Sequence, residues 1–226
     1  MPRNWDFQLP TRIQFGRRGL RKLGETAREF GKSAFLVGYR DRTGLEETYA
    51  RGAESLRKAG LAVSEFFDVP PDPEAELALE GTQRLKDAGS DVVVALGGGS
   101  VIDAAKGIAA LASMGGNLWD YTGANPDSRP VTDALPLVAV PTTAGTGTEV
   151  SAVAVFTHHG FASSGEMPLK ASISGPAVRP QVALVDSDLA VGSPPALTAA
   201  CGADALGHAI EACISRRANP VSSLLA

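Results

Sequence analysis

Five short runs of continuous apolar residues constrain this chain more than any other feature: "SAFLVG" (Ser33–Gly38), "LAVSEFF" (Leu61–Phe67), "DVVVAL" (Asp91–Leu96), "LPLVAVP" (Leu135–Pro141) and "QVALVD" (Gln181–Asp186). A strand that lacks polar alternation has to be covered on both faces, as the strands of a parallel sheet are. The segments between the runs supply that cover. "GLRKLGETAREFG" carries Leu20, Leu23, Ala27 and Phe30 at helical spacing and stops on Gly31. "LEETYARGAESLRKAG" repeats the pattern with Leu45, Tyr49, Ala53 and Leu56, and "PEAELALEGTQRLKDAG" is a third helix ending at Gly89. Strands alternating with such helices predict an open α/β domain over about 30–190. Ligands of such sheets bind outside the carboxyl ends of the strands.

Two segments follow strand ends directly. In "GGGSVIDAAK" (Gly97–Lys106) three glycines and Ser100 join a buried strand to a helix. Bare backbone N–H groups there, next to the positive end of a helix, make an anion site suited to a pyrophosphate. The pattern is neither the dinucleotide fingerprint G-x-G-x-x-G nor a P-loop, and a flexible turn is the plain alternative. "PTTAGTGTEVS" (Pro141–Ser151) presents hydroxyls and glycine backbone at the same end of the sheet, as a ribose or phosphate requires, or else forms an ordinary polar loop.

Near residue 193 strand character ends and an alanine-rich helical stretch begins, with Ser193 as the expected cap and Pro194 in the first turn. Within it, "GADALGHAIE" places Asp204 and His208 one helical turn apart on one face. A carboxylate and an imidazole so spaced can share a divalent metal, or simply pair on the helix surface. The small residues around them favour a crowded face. "PVSSLLA" opens another helix. His158 and His159 fall in the Gly/Ser-rich "THHGFASSGE", read as a loop without a ligand role, and "ANPDSRPVTD" (Ala124–Asp133) reads as a surface loop. Lys170 in "MPLKASIS" is a solvated lysine by default and a cofactor contact otherwise.

Composition removes several function classes. A net charge of -4 leaves no basic footprint for nucleic acid. No apolar run approaches the roughly 18 residues of a membrane span, and the N-terminus has no apolar leader core. Cys201 and Cys213, twelve residues apart, match no zinc pattern, so reduced buried thiols and a cytoplasmic location are expected.

The segments "GGGSVIDAAK", "PTTAGTGTEVS", "PQVALVDSDL" and "PPALTAACGADALGHAIEA" stand in the order and spacing of the iron-containing (group III) alcohol dehydrogenases. The opening "LPTRIQFGRRGLRKLG" also resembles that family's N-terminal strand and first helix, so the likeness covers nearly the whole chain. It implies a dehydroquinate synthase-like plan: an α/β domain binding NAD or NADP over residues 1–192, then the start of an all-helical domain over 193–226, with a divalent metal in the cleft between them. Carried over by position, Gly98, Gly99 and Ser100 would hold the pyrophosphate, with Asp103 close by. Thr142 and Thr143 would contact the nucleotide, Ser151, Val153 and Lys170 would line its nicotinamide-ribose side, and Asp72 would stand near the adenosine end. Asp204 and His208 match the first two metal ligands, with ferrous iron expected and zinc suiting the same donors. The implied reaction is hydride transfer between a small alcohol or aldehyde and the nicotinamide, the metal acting as a Lewis acid.

This chain departs from the family pattern in two ways. After the first apolar run, Tyr39, flanked by Arg40 and Arg42, stands where many members carry an acidic residue, and Asp41 lies beside them, so the choice between NAD and NADP stays open. The family's two later metal histidines have no counterpart after His208. A truncated chain, active weakly or not at all, is therefore expected. The related enzymes of the same architecture are glycerol dehydrogenase, maleylacetate reductase and 3-dehydroquinate synthase. A non-catalytic nucleotide-binding module is the reading from another class, and the N-terminal strand with exposed apolar faces leaves self-association open.

Overall fold

The computed structural model of the protein describes residues 4–158 and 168–226. Its strands are β1 Arg12–Phe15, β2 Ser33–Tyr39, β3 Ala62–Val69, β4 Val92–Gly97, β5 Leu137–Pro141, β6 Val153–His158, β7 Leu169–Ser174 and β8 Val182–Val185. Its helices are α1 Leu23–Arg28, α2 Glu46–Lys58, α3 Ala75–Asp87, α4 Gly99–Met114, α5 Pro195–Ile214 and α6 Pro220–Leu225. Six strands form one sheet in the order β1-β8-β5-β4-β2-β3, with every pairing parallel. The five apolar runs of the sequence are β2, β3, β4, β5 and β8 of this sheet.

Their continuous apolar character follows from burial on both faces. Side chains alternate across a strand, so Ala34, Leu36, Val92, Val94 and Leu96 join Leu20, Leu23 and Leu56 in one core. The intervening Phe35, Val37, Val93 and Ala95 join Phe66, Ile102, Ile108 and Leu111 in the other. Phe35 and Phe66 stack with ring centroids 5.8 Å apart. A one-residue slip of register would move every one of these side chains into the opposite core, so the pattern fixes the pairing.

The strand order also fixes where a ligand can enter. From β2 the chain runs outward to β3, crosses back to β4 on the other side of β2, and continues to β5 and β8. Connections leaving β2 and β4 thus diverge, which opens a crevice above their carboxyl ends. Tyr39 closes β2 and Gly97 closes β4 at that crevice.

The structure adds one element that the sequence reading lacks. β6 and β7 form an antiparallel pair with Val153 opposite Ser174 and His158 opposite Leu169. Ala154 and Phe156 enter the α3/α4 core, and Phe156 lies so near Gly107 that a Cβ there would stand 2.6 Å from its ring. His158, expected in a loop, is therefore a buried strand residue, edge-on to Trp119 at 5.3 Å between ring centroids. His159 lies outside the described residues.

The C-terminal helices match expectation in existence and differ in detail. Pro194, not Ser193, is the cap of α5, Pro195 opens the first turn, and no side chain caps it; the Ser193 carbonyl instead accepts from the Thr198 hydroxyl at 3.4 Å. Asn219 caps α6, its side chain accepting from the Val221 and Ser222 N–H groups at 3.0 Å each. Neither helix buries a residue. Cys213 is accordingly exposed and Cys201 half-buried, both free, rather than buried. Among the described residues no helix is long and apolar enough to cross a membrane.

Candidate functional site

The glycine turn and the threonine loop meet above the sheet. Gly98 caps α4 in an extended conformation, and its carbonyl receives the Val101 and Ile102 N–H groups at 3.1 Å. The loop after β5 starts with the Thr142 N–H donating to the Gly97 carbonyl at 3.0 Å. A Cβ on Gly98 would fall 2.7 Å from the Tyr39 hydroxyl and 2.9 Å from the Thr143 hydroxyl, and one on Gly99 would fall 3.0 Å from the Thr146 methyl. Only glycine keeps this passage open, and the first N–H groups of a helix have no partner within it. The Tyr39 hydroxyl rests on the Gly98 backbone N–H and the Ser100 hydroxyl; burial nevertheless raises its pKa.

A cavity of about 720 Å³ lies beside this turn, between the start of α4, the threonine loop, β6, β7 and α5. It brings together Asp72, Gly99, Ser100, Asp103, Ser151, Val153, Lys170, Asp204 and His208. Thr142 is buried at the end of β5, and Thr143 faces a second cavity of about 550 Å³ on the other side of the threonine loop, so these two do not line the first. His208 borders both.

Asp72 is tied to two other residues of the cavity. It sits in a left-handed conformation, φ 51°, its N–H donates to the Ser100 hydroxyl at 3.2 Å, and its carboxylate pairs with the Lys170 ammonium at 2.8 Å. Asp72 at the adenosine end and Lys170 on the nicotinamide-ribose side were separate expectations; the ion pair puts both on one side of the cavity. A positive φ on a non-glycine residue stores strain that the surrounding contacts must hold.

Beneath the cavity lies a polar network around two residues of α4. The Thr148 hydroxyl donates to the Asp103 carboxylate, which also accepts the Val155 N–H at 3.0 Å. Burial raises the Asp103 pKa, while Thr148, Val155 and Lys106 pull it back. Lys106 is fully buried, and its ammonium reaches the Val153 carbonyl at 2.7 Å, the Thr148 hydroxyl at 2.8 Å and the Ser151 carbonyl and hydroxyl at 3.0 and 3.1 Å. Sequence reasoning passed over Lys106. Its signal was a lysine with Asp103 at i−3 in a helix otherwise without charge.

The residues fit a dinucleotide better than they fit a metal. For the former there is a glycine cradle that a Cβ would fill, a sixteen-residue helix aimed at it and a roomy cavity ringed by hydroxyls. For the latter, His208 Nε2 and Asp204 Oδ1 stand 3.6 Å apart, with side chains 57% and 47% exposed. Their helix face is open rather than crowded. Among the described residues no group of three or more His, Cys, Asp and Glu could hold a metal ion. Two donors fall short of the three protein ligands usual in a catalytic site.

Residues 10–187 match the family model described as iron-containing alcohol dehydrogenase. The NAD-dependent methanol dehydrogenase of Bacillus methanolicus is 37% identical over 224 residues, which are 98% of this chain and 56% of that protein. Among solved structures, the archaeal halo-thermophilic Red Sea brine pool alcohol dehydrogenase superposes with a TM-score of 0.89 at 32% identity, over 100% of this chain and 56% of the other. The sulfoacetaldehyde reductase from Bifidobacterium kashiwanohense in complex with NAD+ gives 0.84 at 29% identity, over 97% and 56%. The chain thus spans little more than half the length of the relatives it matches.

Proposed function

Because the chain belongs to the iron-containing alcohol dehydrogenase family, we propose that it forms the nucleotide-binding part of an oxidoreductase that exchanges hydride between a small alcohol or aldehyde and a nicotinamide dinucleotide. The observation that carries this reading is the passage between Tyr39, Gly98 and Thr143, closed to any Cβ and opening on the 720 Å³ cavity at the start of α4. We divide the chain at 192/193, between the sheet domain and the helices from α5 onward.

In this reading Gly98, Gly99 and Ser100 receive the pyrophosphate through backbone N–H groups and the serine hydroxyl. Tyr39 gives up its contact with Gly98 as the phosphate arrives. Its neutral phenol puts no carboxylate against the adenosine ribose, and Asp41 is turned back onto its own loop, accepting from the Thr43 N–H at 3.0 Å and hydroxyl at 2.7 Å. The site therefore admits NADP as well as NAD. Ser151, Val153 and Lys170 line the nicotinamide-ribose side, and Lys170 exchanges its pairing with Asp72 for the ligand. When bound, the nicotinamide supplies the carbon that accepts or donates hydride. Asp204 and His208 offer a ferrous or zinc ion one oxygen and one nitrogen; affinity from two donors is weak, and no step through the metal follows from them. Turnover by this polypeptide is accordingly expected to be low.

A nucleotide-binding module without turnover is the second reading, favoured by the two-donor metal set. Titration with NADH and NADPH, followed by an assay with ferrous ion and simple alcohols, separates the two. Binding with turnover supports the enzyme, binding without turnover supports the module, and absence of binding removes both.

A further inference from the structure

Asp72 is the centre of a strained loop. It lies between β3 and α3 in "VPPDPEAE", with Pro70 and Pro71 before it and Pro73 after it. A residue that precedes proline is confined to extended backbone, yet Asp72 has φ 51°. Aspartate tolerates that region better than most residues, though still at a cost. Such a conformation persists only where its surroundings hold it. The ends of the loop are pinned: the Arg40 N–H donates to the Val69 carbonyl at 2.9 Å, and the Thr157 N–H donates to the Pro73 carbonyl at 3.0 Å. Between those points Asp72 is held by its N–H on the Ser100 hydroxyl at 3.2 Å and by its carboxylate on the Lys170 ammonium at 2.8 Å. Ser100 opens α4 and Lys170 is on β7, and all three residues line the 720 Å³ cavity. The ion pair is also breakable. Its side chains are 71% and 62% exposed, and a pair in that much solvent adds little stability. Lys170 borders a further groove of about 340 Å³ beside Gly123 and Ala124, so its side chain has room to turn.

We propose that Asp72 is a latch: in the empty site it ties the β3–α3 loop to α4 and β7, and an arriving dinucleotide opens it by taking Ser100 and Lys170. The inference rests on the dinucleotide reading of this cavity. The two contacts are lost together, and Asp72 then relaxes toward the extended backbone that Pro73 favours. Because the ligand binds the open form alone, the latched fraction lowers its apparent affinity. Asp72 thus opposes the ligand, whereas the other polar residues of the wall receive it.

NADH fluorescence titrations on the wild type, D72N, K170M and the double variant test the latch. Asparagine keeps the tolerance for positive φ and the backbone bond while giving up the charge. D72N is expected to bind NADH about fivefold more tightly than the wild type, and to bring no gain in the K170M background, because the two residues act through one contact. An equal gain in both backgrounds would make Asp72 a repelling charge without a latch. Weaker or unchanged binding by D72N would make it a ligand contact or a bystander, and each of these results overturns the proposal.

A second readout decides alone if K170M binds too weakly to titrate. Prolines carry no N–H, so Asp72 supplies the one amide proton of residues 70–73. Its exchange with solvent, followed by NMR on the wild type, is expected to quicken when NADH is added, whereas cover by a ligand would slow it. Slower or unchanged exchange overturns the latch. If neither the wild type nor D72N takes NADH, the dinucleotide reading itself falls, a result distinct from binding without a latch.

Discussion

α4 and α5 are both alanine-rich helices interrupted by glycine, and each carries an acidic residue followed within four positions by a basic one or a histidine. Yet α4 buries ten of its sixteen residues and α5 buries none of its twenty. Packing, not composition, separates them. α4 lies between the sheet, α3 and the β6–β7 pair, and its Asp103 and Lys106 are locked to named partners. α5 leaves Leu206, Ile210 and Ile214 exposed, and its Asp204 and His208 face each other at 3.6 Å with solvent on either side. The cavity at the start of α4 is pre-formed, whereas Asp204 and His208 stand on an open helix face.

Paired substitutions break or sharpen this contrast. Ile108→Ala in α4 removes a fully buried side chain and should cost about 2–5 kcal/mol in urea unfolding, whereas Ile210→Ala in α5 should stay within about 0.5 kcal/mol. Equal costs would mean that α5 is covered in solution. Gly98→Val should weaken NADH binding about a hundredfold, or about 2.7 kcal/mol, since its side chain would occupy the space before Tyr39 and Thr143. His208→Ala should leave that binding unchanged, and a matching loss would place the histidine in the nucleotide seat. Gly107→Ala forces a methyl against Phe156 and should cost about 1–3 kcal/mol. Gly207→Ala meets nothing within 4 Å and should stabilise by about 0.5–1 kcal/mol, as a helix-interior glycine does when replaced. The smallest effect is expected from chelation: added EDTA should not shift the melting temperature, and a clear drop would show a tighter metal site than two donors provide.

The sheet was legible because strands buried on both faces write unbroken apolar runs, and because α2, α3 and α4 are each followed within two residues by a glycine. The β6–β7 pair was not, for a specific reason. In β6 the inward Ala154 and Phe156 alternate with Val153 and Val155, which are 40% and 42% exposed but equally apolar, so no period of two stands out. β7 alternates Leu169, Ala171 and Ile173 with Lys170, Ser172 and Ser174, a period of two that marks a strand, but its antiparallel partner carries no such mark. The glycine turn and threonine loop stood out in the sequence because bare and hydroxylated positions gather at two strand ends; packing accounts for part of this, since Gly97, Gly98 and Gly145 leave no room for a Cβ. Lys106 was hidden among alanines, where a lysine ordinarily points to water. The buried thiols and the crowded Asp204/His208 face were misjudged from one cause: small residues on α5 suggested close neighbours that the described residues do not provide.

The central claim is that the start of α4 seats a nicotinamide dinucleotide, and calorimetric titration of NAD+ into the chain at pH 7, with inorganic pyrophosphate as competitor, tests it most directly. The account predicts one saturable site per chain, competition by pyrophosphate, and loss of the binding heat in Gly98→Val. Absence of saturable heat, or the same binding in Gly98→Val as in the wild type, would contradict it.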